Sequence, residues 1–406
     1  MKIAYITAQT PYGNGEQFIL PEILEVINKG NDVIVIPVRP ENKIAKGKEP
    51  KKVFEYTIYI PLLSFHSLLK SLFIFFKYPF RTCKIIYSIL RNSGNIGKII
   101  KNLLVLPKGL ITGEVIKKHD IEHIHAHWAS TPSTVAYIAS ELTGVPWSFT
   151  SHRWDIAENN MITEKARSSK FIRVIDKPGY EEILNFIDEK NRLKCHIVHV
   201  GINLNHNFNK VSNEYINYIN KKSFIIAIPA NFVEKKGHIY FIHAVKKLIE
   251  LNYNVTCYFF GDGPLENELK TLVDKLNLNN NIIFKGKIAH DELLELYAKG
   301  EIDCVVLPSI VTEDGEKEGI PVSLMEAMAY KIPVISTNTG GIPELLGDGA
   351  GILVEQKDPD ALAEAIERLM NEGELRRKLQ EKGYKKVYKE FYLPNVVDRL
   401  LNLMKG

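Results

Sequence analysis

Two α/β domains, each a doubly wound, Rossmann-like parallel sheet, are what this sequence predicts. Short β-branched runs alternate with longer helical patterns from end to end, and such alternation builds parallel sheets covered on both faces. The series occurs twice, on either side of the polar stretch 203–223. At 406 residues the chain also exceeds the size at which one core stops growing. The expected domains are therefore 1–204 and 205–390, facing a central cleft, because ligands of this architecture gather at the carboxyl ends of the strands.

The first series of strands reads KIAYIT (2–7), DVIVIPV (32–38), HIHAHW (123–128), WSFTSH (147–152), FIRVI (171–175) and HIVHV (196–200). The second reads FIIAIPA (224–230), NVTCYFF (254–260), NIIFKG (281–286), DCVVLPS (303–309), PVIST (333–337) and GILV (351–354). Between the latter lie apolar residues at helical spacing in 239–251, 264–276 and 361–370.

Composition narrows the function. With 45% hydrophobic and 25% charged residues, this is an ordinary enzyme-sized globular chain. Four separated cysteines form no C-x-x-C pair, which points to a reducing compartment and away from a zinc knuckle. No apolar run is long enough to span a membrane and no export signal is evident, so a cytoplasmic protein is expected. Between residues 42 and 119, fifteen Lys or Arg face three Glu, and the stretch 61–80 is aromatic and aliphatic. This segment suits either the surface of an anionic membrane or core-facing helices with solvated lysines. Nucleic acid is not expected, since no recognition motif accompanies the charge.

The densest chemistry lies in EDGEKEGIPVSLMEAMAYKIPVIST (313–337). Gly319 and Pro321 interrupt any helix through Glu318, whereas proline suits a first helical position, so a helix is expected from near Pro321 to Tyr330. Glu318 then lies in the preceding loop and Glu326 about one turn into the helix. Unpaired amides and the dipole at such an N-terminus favour phosphate. Five residues of helix rise about 7.5 Å, the reach from a phosphate to the sugar it esterifies. A nucleotide bearing a sugar is the ligand this suggests, with Glu326 on ribose hydroxyls. Glu313, Asp314 and Glu316 read as a solvated loop. Lys235 and Lys236, beside Gly237, offer cations to a diphosphate after the strand at 224–230. Gly15, in the G-x-G-x-x-F loop after the first strand, is a candidate for close backbone approach to phosphate. That loop lacks the third glycine of a dinucleotide fingerprint, which argues against a nicotinamide enzyme. Hydrolase elbow, Walker loop and catalytic cysteine signatures do not occur.

His123, His125 and His127 alternate and so share one face of a strand. Such an array can bind zinc, but an interior parallel strand buries both faces and no carboxylate is obvious nearby, so no metal is expected. His127, nearest the strand's carboxyl end, and His152 with Arg153 and Asp155 after the next strand, are candidates to line the cleft. A histidine there can donate to a sugar hydroxyl or stabilise charge on the leaving group.

The run EGIPVSLMEAMAYKIPVISTNTGGIPELL, with GDGPLENEL, VEKKGH and HIHAHWASTPSTVAYIASELTGVPWSFTSH, resembles retaining family-four glycosyltransferases of GT-B architecture. The likeness covers most of the chain except roughly 40–118, and DGEKEGIPVSLMEAMA is similar to enzymes that assemble colanic acid or amylovoran type polysaccharides. The resemblance implies roles by position: Glu318 on the donor sugar, Glu326 on ribose, Lys236 on the diphosphate, Gly15 in the first loop and His152 near the donor sugar. It also implies that Gly286 to Ile288 face the base, that the backbone of Gly319 and Ile320 lines the donor, and that a last helix, 391–406, packs back on the first domain. Asn231 stands where such enzymes usually carry an arginine, which weakens leaving-group stabilisation unless Arg153 or Lys235 substitutes. Lys331 replaces a common glycine at a helix end and favours the dipole. The expected activity is metal-independent hexosyl transfer from a nucleotide diphosphate sugar to a lipid-linked saccharide, with no cofactor. A nucleotide-sugar epimerase of the same fold, or a binding protein weakened in turnover, are the alternatives.

Overall fold

The structure is a computed structural model that describes residues 1–10, 16–40, 48–203 and 223–406. Gly15, residues 41–47 of the basic segment and most of the polar stretch at 203–223 lie outside the described residues. The chain divides into two compact units, 1–201 with 393–406, and 202–392.

In the first unit the strands are β1 (Lys2–Gln9), β2 (Asp32–Arg39), β3 (His123–His127), β4 (Trp147–Ser151), β5 (Phe171–Val174) and β6 (Cys195–Ile197). They pair in parallel in the order β2-β1-β3-β4-β5-β6. The helices are α1 (Leu20–Asn28), α2 (Lys48–Glu55), α3 (Phe65–Lys77), α4 (Pro79–Asn92), α5 (Ile96–Leu104), α6 (Leu106–Lys118), α7 (Thr131–Thr143), α8 (Arg153–Glu158), α9 (Ile162–Ser168) and α10 (Lys177–Ile183). The last helix, α18 (Leu393–Lys405), belongs to this unit.

Alternation along each strand serves two cores. Ala4, Ile6, Ile36, Val38 and Ile124 point into one. Ile3, Tyr5, Val33 and Val35 point into the other, together with α1 and with Leu393, Val397 and Leu400 of α18. Lys29, the C-cap residue of α1, meets Asp398 on α18 at 2.8 Å.

The second unit contains β7 (Phe224–Pro229), β8 (Val255–Phe260), β9 (Ile282–Gly286), β10 (Cys304–Leu307), β11 (Val334–Thr337) and β12 (Ile352–Val354). Their order, β9-β8-β7-β10-β11-β12, is again all parallel. The helices are α11 (His238–Glu250), α12 (Glu266–Lys275), α13 (His290–Ala298), α14 (Val322–Ala329), α15 (Ile342–Leu346), α16 (Pro359–Asn371) and α17 (Gly373–Glu390). All twelve strand runs named from the sequence form strands, most of them trimmed by a residue or two at the ends. A hydrophobic run marks burial, but only the ladder decides where pairing stops.

Each order reverses once. In the first unit the chain runs from β1 out to β2 and then crosses to β3 on the other side of β1; in the second it runs from β7 through β8 to β9 and then crosses to β10 on the other side of β7. At such a switch point the loops beyond adjacent strand ends diverge and leave a crevice. The loops that follow β7 and β10 carry Lys236 and Glu318, and the loops that follow β1 and β3 carry Glu16 and Trp128.

Candidate active site

In the second unit, Pro321 stands in the N-cap position of α14 with an extended backbone, and no side chain caps the helix. The first amides of α14 thus present a positive end to the crevice without a side-chain oxygen on them. Glu326 lies one turn in, and Glu318 lies in the loop before, nine-tenths buried. Lys236 closes the short turn Glu234–Lys236 after β7, and its Nζ lies 3.0 Å from Glu318 Oε1. A cation and a carboxylate from two strand-end loops therefore meet beside an uncapped helix start.

Backbone packing holds these loops. Gly340, after β11, has φ +56, and a Cβ there would fall 1.9 Å from the Glu318 carbonyl oxygen. Gly237 has φ +68, and its Cβ would fall 1.9 Å from the Pro308 oxygen. Only glycine permits both the left-handed backbone and the approach. The amide of Gly341 donates to the Glu318 carbonyl at 3.2 Å, so the Gly319–Ile320 segment is pinned from the neighbouring loop. Gly286 ends β9 with φ +67, its carbonyl accepts from Gly261 N at 3.0 Å, and Ile288 packs partly buried on the core.

Three further placements modify the sequence reading, and a fourth agrees with it. His290, at the start of α13, contacts Glu326 Oε1 at 2.7 Å, and this hydrogen bond raises the imidazole pKa. The pair joins residues 36 positions apart, so no local pattern foretold it. Asn231 is exposed, and the two cations considered as substitutes are engaged: Lys235 with Glu316 at 2.6 Å and Arg153 with Glu182 at 3.3 Å. Lys331 has φ +55, which gives a backbone reason for glycine at this position that the dipole argument lacked. Glu313 and Asp314 are exposed, as the solvated-loop reading has it.

In the first unit, His127 and His152 bring their Nε2 atoms to 2.9 Å. One ring donates and the other accepts, and burial holds both pKa values down, that of His152 to about 3, so both rings are neutral near pH 7. Trp128 lies over His152 with ring centroids 4.2 Å apart, and Phe18 meets His127, Trp128 and His152 edge-on at 5.5–5.8 Å. Trp128 has φ +97, a costly conformation for a bulky residue, and its indole N–H donates to buried Glu16. Burial raises the Glu16 carboxyl to about 7. Asp155, fully buried and raised to about 7 for the same reason, accepts from His152 N and Ala129 N, both at 2.7 Å, and so fixes the start of α8. Glu16, Phe18 and Trp128 were not singled out in the sequence; the positive φ of Trp128 carries no sequence signature.

His123 and His125 are hydrogen-bonded to Ser148 and Thr150 across β4, at 2.7–2.9 Å. The sequence shows no carboxylate near this array, but the fold supplies one. Glu22 of α1 lies with His125 and His127 so that one ligand atom of each falls within 4.8 Å of the others. Its charge is met by Arg173 at 2.5 Å, with Tyr5 nearby.

Comparison with known proteins bears on the class and fold of this chain. The family model described as glycosyl transferases group 1 matches residues 209–386. The match falls within the second unit and spans most of it, so that unit is similar to a group 1 glycosyltransferase domain. A putative colanic acid biosynthesis glycosyltransferase of Escherichia coli, WcaL, is 40% identical over 139 residues, 34% of either chain. The N-acetyl-alpha-D-glucosaminyl L-malate synthase of Bacillus anthracis is 26% identical over 309 residues, 70% of this chain and 75% of that one. The chain thus aligns with about a third of the length of the first relative and three quarters of the second. Among solved structures, a glycosyltransferase from Rickettsia africae matches with TM-score 0.71 at 21% identity, over 99% of this chain and 97% of that one. Anabaena Alr3699/HepE, solved in complex with UDP, matches with TM-score 0.69 at 15% identity over the whole of both. The two parallel-sheet units share the GT-B fold with these structures, and the segment matched by the family model contains Lys236, Glu318 and Glu326.

Among the described residues, no helix is long and apolar enough to cross a membrane.

Proposed function

We propose that this chain is a retaining glycosyltransferase that moves a hexose from a nucleotide diphosphate sugar to a hydroxyl of a lipid-linked saccharide, in the synthesis of a bacterial surface polysaccharide. The observation that carries the reading is the meeting of Lys236 and Glu318 at the β7/β10 switch point, beside the uncapped start of α14 with Glu326 one turn inside. The group 1 match, the WcaL relative and the UDP complex of Alr3699/HepE support the same class.

In this reading the α14 amides and Lys236 take the diphosphate, Glu326 the ribose hydroxyls and Glu318 the sugar, while Gly286 to Ile288 line the base. Breaking the sugar–phosphate bond builds positive charge on the ring and negative charge on the leaving phosphate. Lys236 and the α14 amides oppose the second, so that no metal is needed, and loss of one such donor costs about 3 kcal/mol of barrier. Without a placed nucleophile, the departing phosphate oxygen takes the acceptor proton on the face it leaves, which retains the anomeric configuration. His152 donates to a sugar hydroxyl in place of its hydrogen bond to His127. The protein acts in the cytoplasm, with the basic 42–119 segment against an anionic membrane surface.

Screening nucleotide sugars for thermal stabilisation identifies the donor, since ligand raises the melting point by mass action. Transfer to membrane extract is then followed with and without a chelator. Stabilisation that survives Glu318→Ala and Glu326→Ala together would refute the site, and transfer abolished by chelator would refute metal independence.

One observation favours a second reading, a nucleotide-sugar-binding protein weakened in turnover: Asn231 stands in place of a cation, while Lys235 meets Glu316 and Arg153 meets Glu182. Donor binding without transfer, with transfer gained in Asn231→Arg, would establish it. Turnover without any acceptor would instead indicate an epimerase.

A further inference from the structure

Helices α3 and α5 are built inside out. Helix α3 buries Ser67, Ser71 and Ile74 and exposes Phe65, Leu68, Leu69, Leu72, Phe73 and Phe76, an apolar stripe at helical spacing turned to solvent. On α5 the one buried residue is Asn102, while Ile96, Ile100 and Leu104 are exposed at spacing of four. At the start of α4, Phe80 is 90% exposed. A soluble helix turns its stripe inward, and a contiguous apolar face of this extent marks a contact surface.

The face is not flat. Between α3 and α6 runs an open apolar groove of about 400 Å³, lined by Leu68, Leu72 and Phe75 on one side and Leu106, Pro107 and Leu110 on the other. That is within the size range of small-molecule sites. Polar groups are scarce along it, Ser71 and Thr82 being the hydroxyl-bearing residues of the lining. A groove with so few hydrogen-bonding groups suits hydrocarbon.

Charge selects among occupants. From Tyr56 to Gly113 there are eight Lys or Arg and no Asp or Glu. Lys77, Lys84 and Lys101 are matched by Glu114, Glu141 and Glu158, and Lys108 is buried against backbone carbonyls. Lys70, Arg81, Arg91 and Lys98 have no carboxylate within ion-pair distance among the described residues. A second copy on this face would oppose like charges, whereas an anionic leaflet complements them.

We propose that the groove between α3 and α6 holds one hydrocarbon chain of an anionic lipid, so that the α3–α5 face enters the leaflet instead of resting on its charge alone. This deepens the membrane contact proposed above and rests on it. Phe65, Phe73, Phe76 and Phe80 lie at the level of the acyl chains, and the basic residues stay at the headgroups.

Vesicles of neutral lipid alone, and of neutral with anionic lipid, are mixed with the full chain at low and high salt. Salt screens the headgroup attraction but not the chain contact. The expected result is binding to anionic vesicles with a fraction that survives high salt. Leu68→Gln with Leu72→Gln, both exposed positions, lowers that fraction roughly tenfold or more without changing the melting temperature, and leaves the salt-sensitive part in place. In Phe75→Trp, a lipid brominated on its acyl chain quenches the new indole. Should high salt release everything, or the double variant bind as the native chain does, the groove is empty of lipid while the electrostatic contact stands. Failure to bind anionic vesicles at any salt overturns both. Self-association that the double variant abolishes, without vesicle binding, assigns the face to a second copy and overturns the proposal.

Discussion

Replacing Gly340 by alanine tests whether backbone contact between strand-end loops is what holds Glu318 and Lys236 together. The new Cβ would lie 1.9 Å from the Glu318 carbonyl oxygen and 3.0 Å from its carbon. An ordinary carbon–oxygen contact is about 3.3 Å, so the two loops must separate by roughly 1.4 Å. The left-handed backbone at φ +56 costs an alanine about 1–2 kcal/mol by itself. Overpacking adds about 1–3 kcal/mol. Gly286 provides the control, because it too has positive φ, +67, but a Cβ there meets nothing within 4 Å. Gly286→Ala should cost only the conformational part. At about 2–4 °C per kcal/mol for a unit of this size, Gly340→Ala should melt the second unit roughly 4–20 °C lower and Gly286→Ala roughly 2–8 °C lower. A displacement near 1 Å at the reacting groups also costs on the order of 10²-fold in rate. Calorimetry and the transfer assay read the two effects separately. Equal melting shifts in the two variants would show that the loops are not braced by this contact.

Nucleotide binding should depend on pH through His290. Below its raised pKa the imidazolium sits on Glu326, which the ribose hydroxyls would use, so affinity should tighten as pH rises through that pKa; titration calorimetry of His290→Ala should show the slope gone, and a slope that persists would exclude the competition. Buried His238, with neither ring nitrogen partnered among the described residues and its pKa pushed down to about 3 by burial, stays neutral in the fold but takes a proton when released. The second unit should therefore lose up to about 1.4 kcal/mol per pH unit as pH falls from about 6.5 toward 3. His238→Phe, packed between Phe232 and Phe259, should flatten that dependence in urea titrations, and an unchanged slope would refute the assignment. Arg173→Met leaves Glu22 buried without its cation and should destabilise the first unit by about 3–5 kcal/mol, with much of the loss recovered in Arg173→Met with Glu22→Leu; a double variant no better than the single one would show that the pair is not coupled.

The alternation of strand and helix, the helix that starts after Pro321, and the positions of Glu318 before it and Glu326 on it were legible because they depend on neighbours in the chain, whereas the approach of Lys236 to Glu318 was not. Burial pattern, proline and glycine act within a few residues, and the sequence states them directly. The residues that shape the rest of the site were not legible in that way. His290 on Glu326, Trp128 over His152, Glu22 against Arg173 and Gly340 beneath Glu318 all join positions far apart in the chain.

The basic, aromatic segment shows the division most plainly. Its composition allowed either buried helices or a membrane surface, since a helical stripe has the same spacing whichever way it faces. What the chain alone determined is therefore where elements begin and which residues are apolar or charged. Which side of α3 turns to solvent was decided by packing, because Ser67, Ser71 and Ile74 fit against the unit and the larger Phe and Leu side chains were left outside. Local sequence sets what each element is, but the direction in which it presents its side chains depends on contacts that exist only after distant segments have met.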